Sequence, residues 1–191
     1  MDFTHDRSKT SWNLEFTWFH RVRLSDLDSF DMTSKADLVN LTIGVDRPTF
    51  IRFLNRNRTF FLNAQLFMQY IVGYQSSFTS DGPFNARMTV GAFTGYHQDR
   101  LIPGIQFVYD FPSYSGAVLW SIAWRVTQSF MIQVGLNGFW GRVDRREAAL
   151  VAAGTAGQAG RGEGAYHSYV ENGLSSVRDR DELFVRLRYT F

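Results

Sequence analysis

The chain has 191 residues, 45% of them hydrophobic and 16% aromatic, and contains no cysteine. Its 20 Lys and Arg against 18 Asp and Glu leave a formal net charge of +2. This excludes a disulfide framework, a thiolate zinc site and a cysteine nucleophile, and shows none of the basic surplus of a nucleic-acid binder. Mean hydropathy is −0.20, a soluble-looking value, yet 18 Phe, 8 Tyr and 5 Trp are a heavy aromatic load. A membrane-spanning helix needs about 20 mostly apolar residues. The longest uncharged run, Thr59–Ser80, carries Asn63, Gln65, Gln69 and Gln75 at odd positions only, which is strand periodicity. The first residues have neither the basic start nor the apolar core of a signal peptide. That leaves a cytosolic protein or the trailing part of a longer chain.

Alternation dominates the sequence from end to end. Strands are predicted over 12–24, 38–46, 59–72, 84–97, 101–111, 114–127, 129–141 and 182–191. In the first, Trp12, Leu14, Phe16, Trp18, Val22 and Leu24 share one parity with His20. Asn13, Glu15, Thr17, Phe19, Arg21 and Arg23 hold the other. The second alternates Val39, Leu41, Ile43 and Val45 with Asn40, Thr42, Gly44 and Asp46. The third sets Leu62, Leu66, Met68 and Tyr70 against Asn63, Gln65, Phe67 and Gln69. The last sets Leu183, Val185, Leu187, Tyr189 and Phe191 against Glu182, Phe184, Arg186 and Arg188. Several runs exceed the usual soluble strand of about 5–6 residues and match the roughly 9–11 that cross a membrane.

Charge placement identifies the faces. Glu15, Arg21, Arg23, Asp46, Arg87, Asp110, Arg125, Glu182, Arg186 and Arg188 all take the polar parity. A lipid-facing surface demands this, because a midplane Arg there costs roughly 2–4 kcal/mol. Aromatics stand near both ends of several apolar faces: Phe60 and Tyr70, Phe84 and Tyr96, Tyr114 and Trp124, Phe130 and Trp140. Membrane barrels carry such girdles at both interfaces, whereas a small soluble barrel would be over-packed by that many inward rings. The predicted fold is therefore an all-β, transmembrane, antiparallel up-and-down barrel in a single domain, with about eight strands in this chain.

The C-terminal segment Leu183-Phe184-Val185-Arg186-Leu187-Arg188-Tyr189-Thr190-Phe191 resembles the terminal strand of bacterial outer-membrane β-barrels. The resemblance implies that Leu187, Tyr189 and Phe191 act as a signal to the barrel-assembly machinery. Asp46-Arg47-Pro48-Thr49-Phe50-Ile51-Arg52-Phe53-Leu54-Asn55, then Thr59-Phe60-Phe61-Leu62 and Gln65, is similar to the C-terminal part of a large proteobacterial barrel family of unknown function. Asp99-Arg100-Leu101-Ile102-Pro103 and Tyr109-Asp110 are similar to the same family. It implies an outer-membrane location and a chain that is one portion of a larger barrel; it carries no established activity.

With Phe191 at the periplasmic end, eight strands put the N-terminus in the periplasm too. Outer connections are expected near 25–37, 73–83, 111–114 and 142–181. The last is long, with a short helix over Ala148–Ala153 followed by glycine-rich Gly154–Gly164. The periplasmic connection 47–58 is read as a tuck against the barrel rim, where Pro48 could open a short helix with Phe50, Phe53 and Leu54 on one side. Asp26, Asp28 and Asp31 fail the EF-hand spacing and read as a solvated acidic loop. His5, His20, His97 and His167 show no metal spacing, and no nucleophile–base pair is visible. No metal, cofactor or catalytic residue is expected.

The candidate site is the lumen. Glu15, Arg21, Arg23, Arg87, Asp110, Arg125, Arg186 and Arg188 are expected to line it with Phe67, Phe93 and Phe139. These charges read either as a paired ladder bracing the wall or as a basic stripe attracting anions. The inward Phe, including Phe19, Phe61 and Phe184, line a path for an amphipathic acid or pack among themselves. The function expected is an outer-membrane channel or facilitator for a small hydrophobic or anionic solute, in contact with outer-membrane lipid. The alternative is a small eight-stranded structural or surface-interaction barrel without a channel; a less favoured one is an outer-membrane enzyme.

Overall fold

A computed structural model describes residues 2–26, 28–78, 82–141, 174, 177 and 180–191. The elements in order are β1 (Asp2–His5), β2 (Thr10–Ser25), β3 (Thr33–Thr49), β4 (Phe60–Val72), β5 (Phe84–Phe93), β6 (Leu101–Asp110), β7 (Ser115–Arg125), β8 (Phe130–Trp140) and β9 (Glu182–Tyr189). Each strand pairs antiparallel with its sequence neighbour, which makes one nine-stranded meander in the order β1 to β9. The chain is thus all-β and up-and-down. Among the described residues no ladder joins β9 to β1 or β2. The expected connection over 142–181, with its helix over Ala148–Ala153 and its glycine-rich run, lies outside the described residues except at 174, 177 and 180–181; so does His167.

The eight expected strands are all present, and among the described residues a ninth precedes them: β1 pairs Phe3 with Trp12 and His5 with Thr10, four residues being too few to show a period. The structure corrects some of the expected bounds. β3 extends well beyond 38–46 at both ends, to Thr33 and Thr49. Lys35 and Asp37 break the apolar pattern at one end, and Pro48 suggested a helix at the other. Pro48 instead lies in the ladder opposite Phe61, and the connection after it is a hydrogen-bonded turn, with Leu54 N and Asn55 N donating to Ile51 O. β5 stops at Phe93 rather than running to residue 97. The turn that follows holds His97, Gln98 and Asp99 at positive φ, a left-handed stretch incompatible with a strand.

Registers run straight across the sheet. On the apolar face one row joins Trp18, Val39, Tyr70 and Phe84. Near the opposite end, Phe130 stands beside Tyr189 and Phe3 beside Trp12. Trp140 lies over Gly116, where an added Cβ would come within 2.1 Å of the indole, and its ring centroid is 5.2 Å from that of Phe107. These rows place aromatics at both ends of the apolar face.

Candidate functional site on the concave face

The polar face is the inner one. Asp46, Asn63, Phe93, Gln106, Ser121, Gln133 and Arg186, one from each strand β3 to β9, line a single cavity of about 730 Å³. The sheet therefore curls around its polar side and turns its apolar side outward. Phe16 is 68% exposed, Trp18 63% and Leu183 74%. Among the described residues the buried apolar cluster is small: Ala36, Leu38, Ile71 and Phe78, with Val22, Leu24 and Tyr74 packed against it.

That cluster lies on the concave side, since Leu38 pairs with Ile71 on the parity that carries Asn40 and Gln69. Its position follows from a β-bulge in β2. The register shifts between Phe19 and Val22, where Arg21 takes a φ of +53°. The extra residue in such a bulge re-aims everything beyond it. Trp18 still faces outward beside Val39, but Val22 pairs with Ala36 and turns inward with Leu24. Arg23 pairs with Lys35 and takes the outward parity, so its expected place in the lumen is overturned. Arg21 sits within the bulge, where alternation assigns no face. Asp37 fills the gap, accepting from Arg21 N at 2.8 Å and lying 3.0 Å from His20 Nδ1. Phe78 closes the cluster from the connection after β4 and is only 1% exposed.

The remaining expected residues take inward parity. Glu15, Thr42, Phe67, Arg87, Asp110 and Ser115 form one row across β2 to β7. Arg87 donates to Asp110 Oδ1 from Nε at 3.2 Å and from Nη2 at 3.1 Å. Asp110 also accepts from Ser113 Oγ, which bonds Ser115 Oγ in turn. The wall-bracing reading thus describes Arg87 and Asp110. It does not describe Arg125, Arg186 or Arg188: the ion pairs among the described residues are His20–Asp37, Arg58–Asp99 and Arg87–Asp110. Arg125 and Arg188 flank Met131 in one row at the far end of β7 to β9. Phe67 borders a second recess of about 450 Å³ with Phe19 and Arg87. Phe93 stacks on Phe61, ring centroids 5.1 Å apart at 15°. Phe139 pairs with Ala117, and its amide donates to Asp181 Oδ1 at 2.9 Å.

At the Arg125 end the connection 50–59 is tied down by Asn55, which is 6% exposed. Its amide donates to Thr94 Oγ1 at 3.1 Å and Gly95 O at 2.9 Å, and its Oδ1 accepts from the amides of Asn57 and Arg58. This is the expected tuck, made by an asparagine that composition and parity did not single out. At the same end Leu187, Tyr189 and Phe191 face outward and are exposed, with the Tyr189 and Phe191 rings 5.0 Å apart.

At the opposite end Asp26 and Asp31 organise their own loop. Asp26 accepts from Ser34 Oγ and from Asp28 N; Asp31 accepts from Ser29 Oγ and Thr33 Oγ1. The hydrogen bond from Ser34, followed by that from Ser77, holds the Asp26 carboxyl below the ordinary aspartate value of about 3.9. A carboxylate with a depressed folded pKa stabilises above its unfolded value, and that contribution is lost as pH falls through the folded one. Protection of the Asp28 amide from hydrogen exchange is therefore expected to hold at pH 5 and to fall progressively below about pH 3.9. Asp26→Asn should remove that pH dependence. An unchanged protection factor down to pH 2 would rule out this carboxylate as the loop's anchor.

No protein-family model matches the chain, and no curated protein or solved structure matches it.

Proposed function

We propose that this chain forms the wall of a bacterial outer-membrane β-barrel that passes a small hydrophobic or anionic solute along its inner face. The observation that carries the reading is the outward apolar face. Soluble monomers rarely expose contiguous apolar patches above a few hundred Å²; here the face continues over all nine strands between two aromatic rows. Its height supports the same reading. On β3 the uncharged outward residues Val39, Leu41, Ile43 and Val45 lie between Asp37 and Arg47. Those ten steps cover about 33 Å of strand at roughly 3.3 Å each. Tilted by about 40°, they rise about 25 Å, the height of a barrel's apolar band.

Lipid offers no hydrogen bonds to a bare sheet edge. The edges at β9 and at the upper part of β2, beyond its pairing with β1, therefore need partners in a bilayer. We read them as joined to further strands of a larger barrel, in keeping with the resemblance of the Asp46–Asn55 and Asp99–Pro103 segments. The exposed Leu187, Tyr189 and Phe191 suit recognition by the barrel-assembly machinery.

A second reading, a wall without a channel, draws on the Phe78 cluster that covers the upper part of β2 to β4 on the concave side. Solute uptake into liposomes carrying the full-length protein separates the two. Uptake above that of empty liposomes is expected; none would leave the second reading.

A further inference from the structure

We infer that the recess beside Arg186 and Arg188 binds an aromatic monocarboxylate, with the carboxylate held by the arginines and the ring seated in a slot between Phe93 and Phe184. This rests on the proposed solute passage and names the class of solute.

The charge argument comes first. Arg186 and Arg188 are successive inward residues of β9, about 7 Å apart along the strand. Arg125 lies about 10 Å from Arg188, two strand spacings away across Met131. None of the three joins an ion pair among the described residues. Of the inward acids, Asp110 pairs with Arg87 and Glu15 lies in that same row on β2; Asp46 and Glu182 border the same cavity as Arg186 but accept from the side-chain amides of Asn63 and Asn137. Like charges set close on one face of a sheet destabilise it, and a recess with low-dielectric walls focuses their field on an anion. A guanidinium fork matches a carboxylate with two parallel hydrogen bonds.

Shape supplies the second argument. A single register row runs Phe93, Gly104, Ser121, Gly135, Phe184. The Phe184 ring covers Gly135, where an added Cβ would come within 2.4 Å of it. Between Phe93 and Phe184 the cavity floor is Gly104 and Ser121, about 10 Å wide at two strand spacings, with the Gln133 amide donating to Ser121 Oγ at 3.0 Å along its margin. It is bounded by the Phe61–Phe93 stack on one side. On the other stands Phe184, whose ring lies 5.6 Å from the Arg186 guanidinium carbon. A flat ring fills that slot with its acid group toward Arg186.

Calorimetric titration of the full-length protein in an uncharged detergent tests this, with 1-naphthoate as probe and 1-naphthamide as its neutral counterpart. Naphthoate should bind at least tenfold tighter than naphthamide. Arg186→Gln with Arg188→Gln should cancel that preference, while Arg186→Lys with Arg188→Lys keeps part of it. Ser121→Phe, which fills the slot, should weaken both ligands at least tenfold without altering any charge. Arg47→Gln, on the outward face, should change neither. Equal binding of acid and amide, or naphthoate binding indifferent to both the arginine and Ser121 changes, would overturn the inference. Liposome uptake of an uncharged solute judges the passage reading separately. Uptake without naphthoate binding leaves passage standing and removes the carboxylate site; binding without uptake does the reverse.

Discussion

Ile43→Arg is expected to cost about 2–4 kcal/mol of folding stability in lipid vesicles, the penalty of an arginine on the lipid face near the bilayer midplane. Thr42→Arg, one residue away, should stay within about 0.5 kcal/mol of the unmodified protein, as surface substitutions usually do. Ile43 occupies the middle of the apolar band, in register with Leu14 and Leu66. Thr42 faces the concave side between Glu15 and Phe67, where water solvates a guanidinium and Glu15 can pair with it. Adjacent residues with opposite tolerance are a signature that whole-chain stability cannot mimic. Urea titration of vesicle-refolded protein reads both. Equal costs at the two positions would remove the lipid-facing assignment and the outer-membrane reading with it.

Asn55→Leu should cost about 2–4 kcal/mol, because a buried carbonyl or amide left without its partner loses about 1–3 kcal/mol. Leucine has similar bulk but satisfies neither Gly95 O nor the amides of Asn57 and Arg58, which Asn55 bonds now. The same junction also holds the Arg58–Asp99 ion pair at 3.0 Å, with both side chains about half exposed. Such an exposed pair contributes about 0–1 kcal/mol, so Arg58→Ala should be several-fold milder. Denaturant midpoints of the two variants decide which contact ties the connection to the β5–β6 turn. A cost for Asn55→Leu no larger than that of Arg58→Ala would mean the side-chain amide does not.

The strands most legible in the sequence are those in which a period of two runs unbroken. β4 and β6 to β9 lie close to their predicted bounds, since each residue's environment there depends only on its parity. Three features lay beyond that logic. β1 is held by pairing with β2, a contact four residues cannot announce. The upper part of β3 carries Lys35 and Asp37, whose charges look like loop until the neighbouring strands support them. In β2 the run His20-Arg21-Val22-Arg23 keeps its textual alternation through the bulge, so nothing local marks the slip.

The site divides in the same way. Inward parity for Arg87, Asp110, Arg125, Arg186 and Arg188 is a local property and was legible. The pairing of Arg87 with Asp110, and the absence among the described residues of such a pair for the three arginines of β7 and β9, depend on cross-strand register. Register is set by connections whose geometry the sequence does not spell out. Asn55 and Phe78 are harder still, since each does its work across a gap in sequence that periodicity cannot bridge.

The slip in β2 also sets a waterline. Below it Trp18, Val39, Tyr70 and Phe84 stand side by side; just above it His20, Asp37, Arg23 and Lys35 project in the same outward direction. A strand that kept its phase would have carried Val22 and Leu24 out there instead and let the sheet ride deeper. By trading those two for charges, one irregular step would fix how far this edge of the proposed barrel wall can sink before it must desolvate ions. If the proposed outer-membrane setting holds, the molecule's depth in the bilayer is written into a backbone irregularity as much as into its greasy belt.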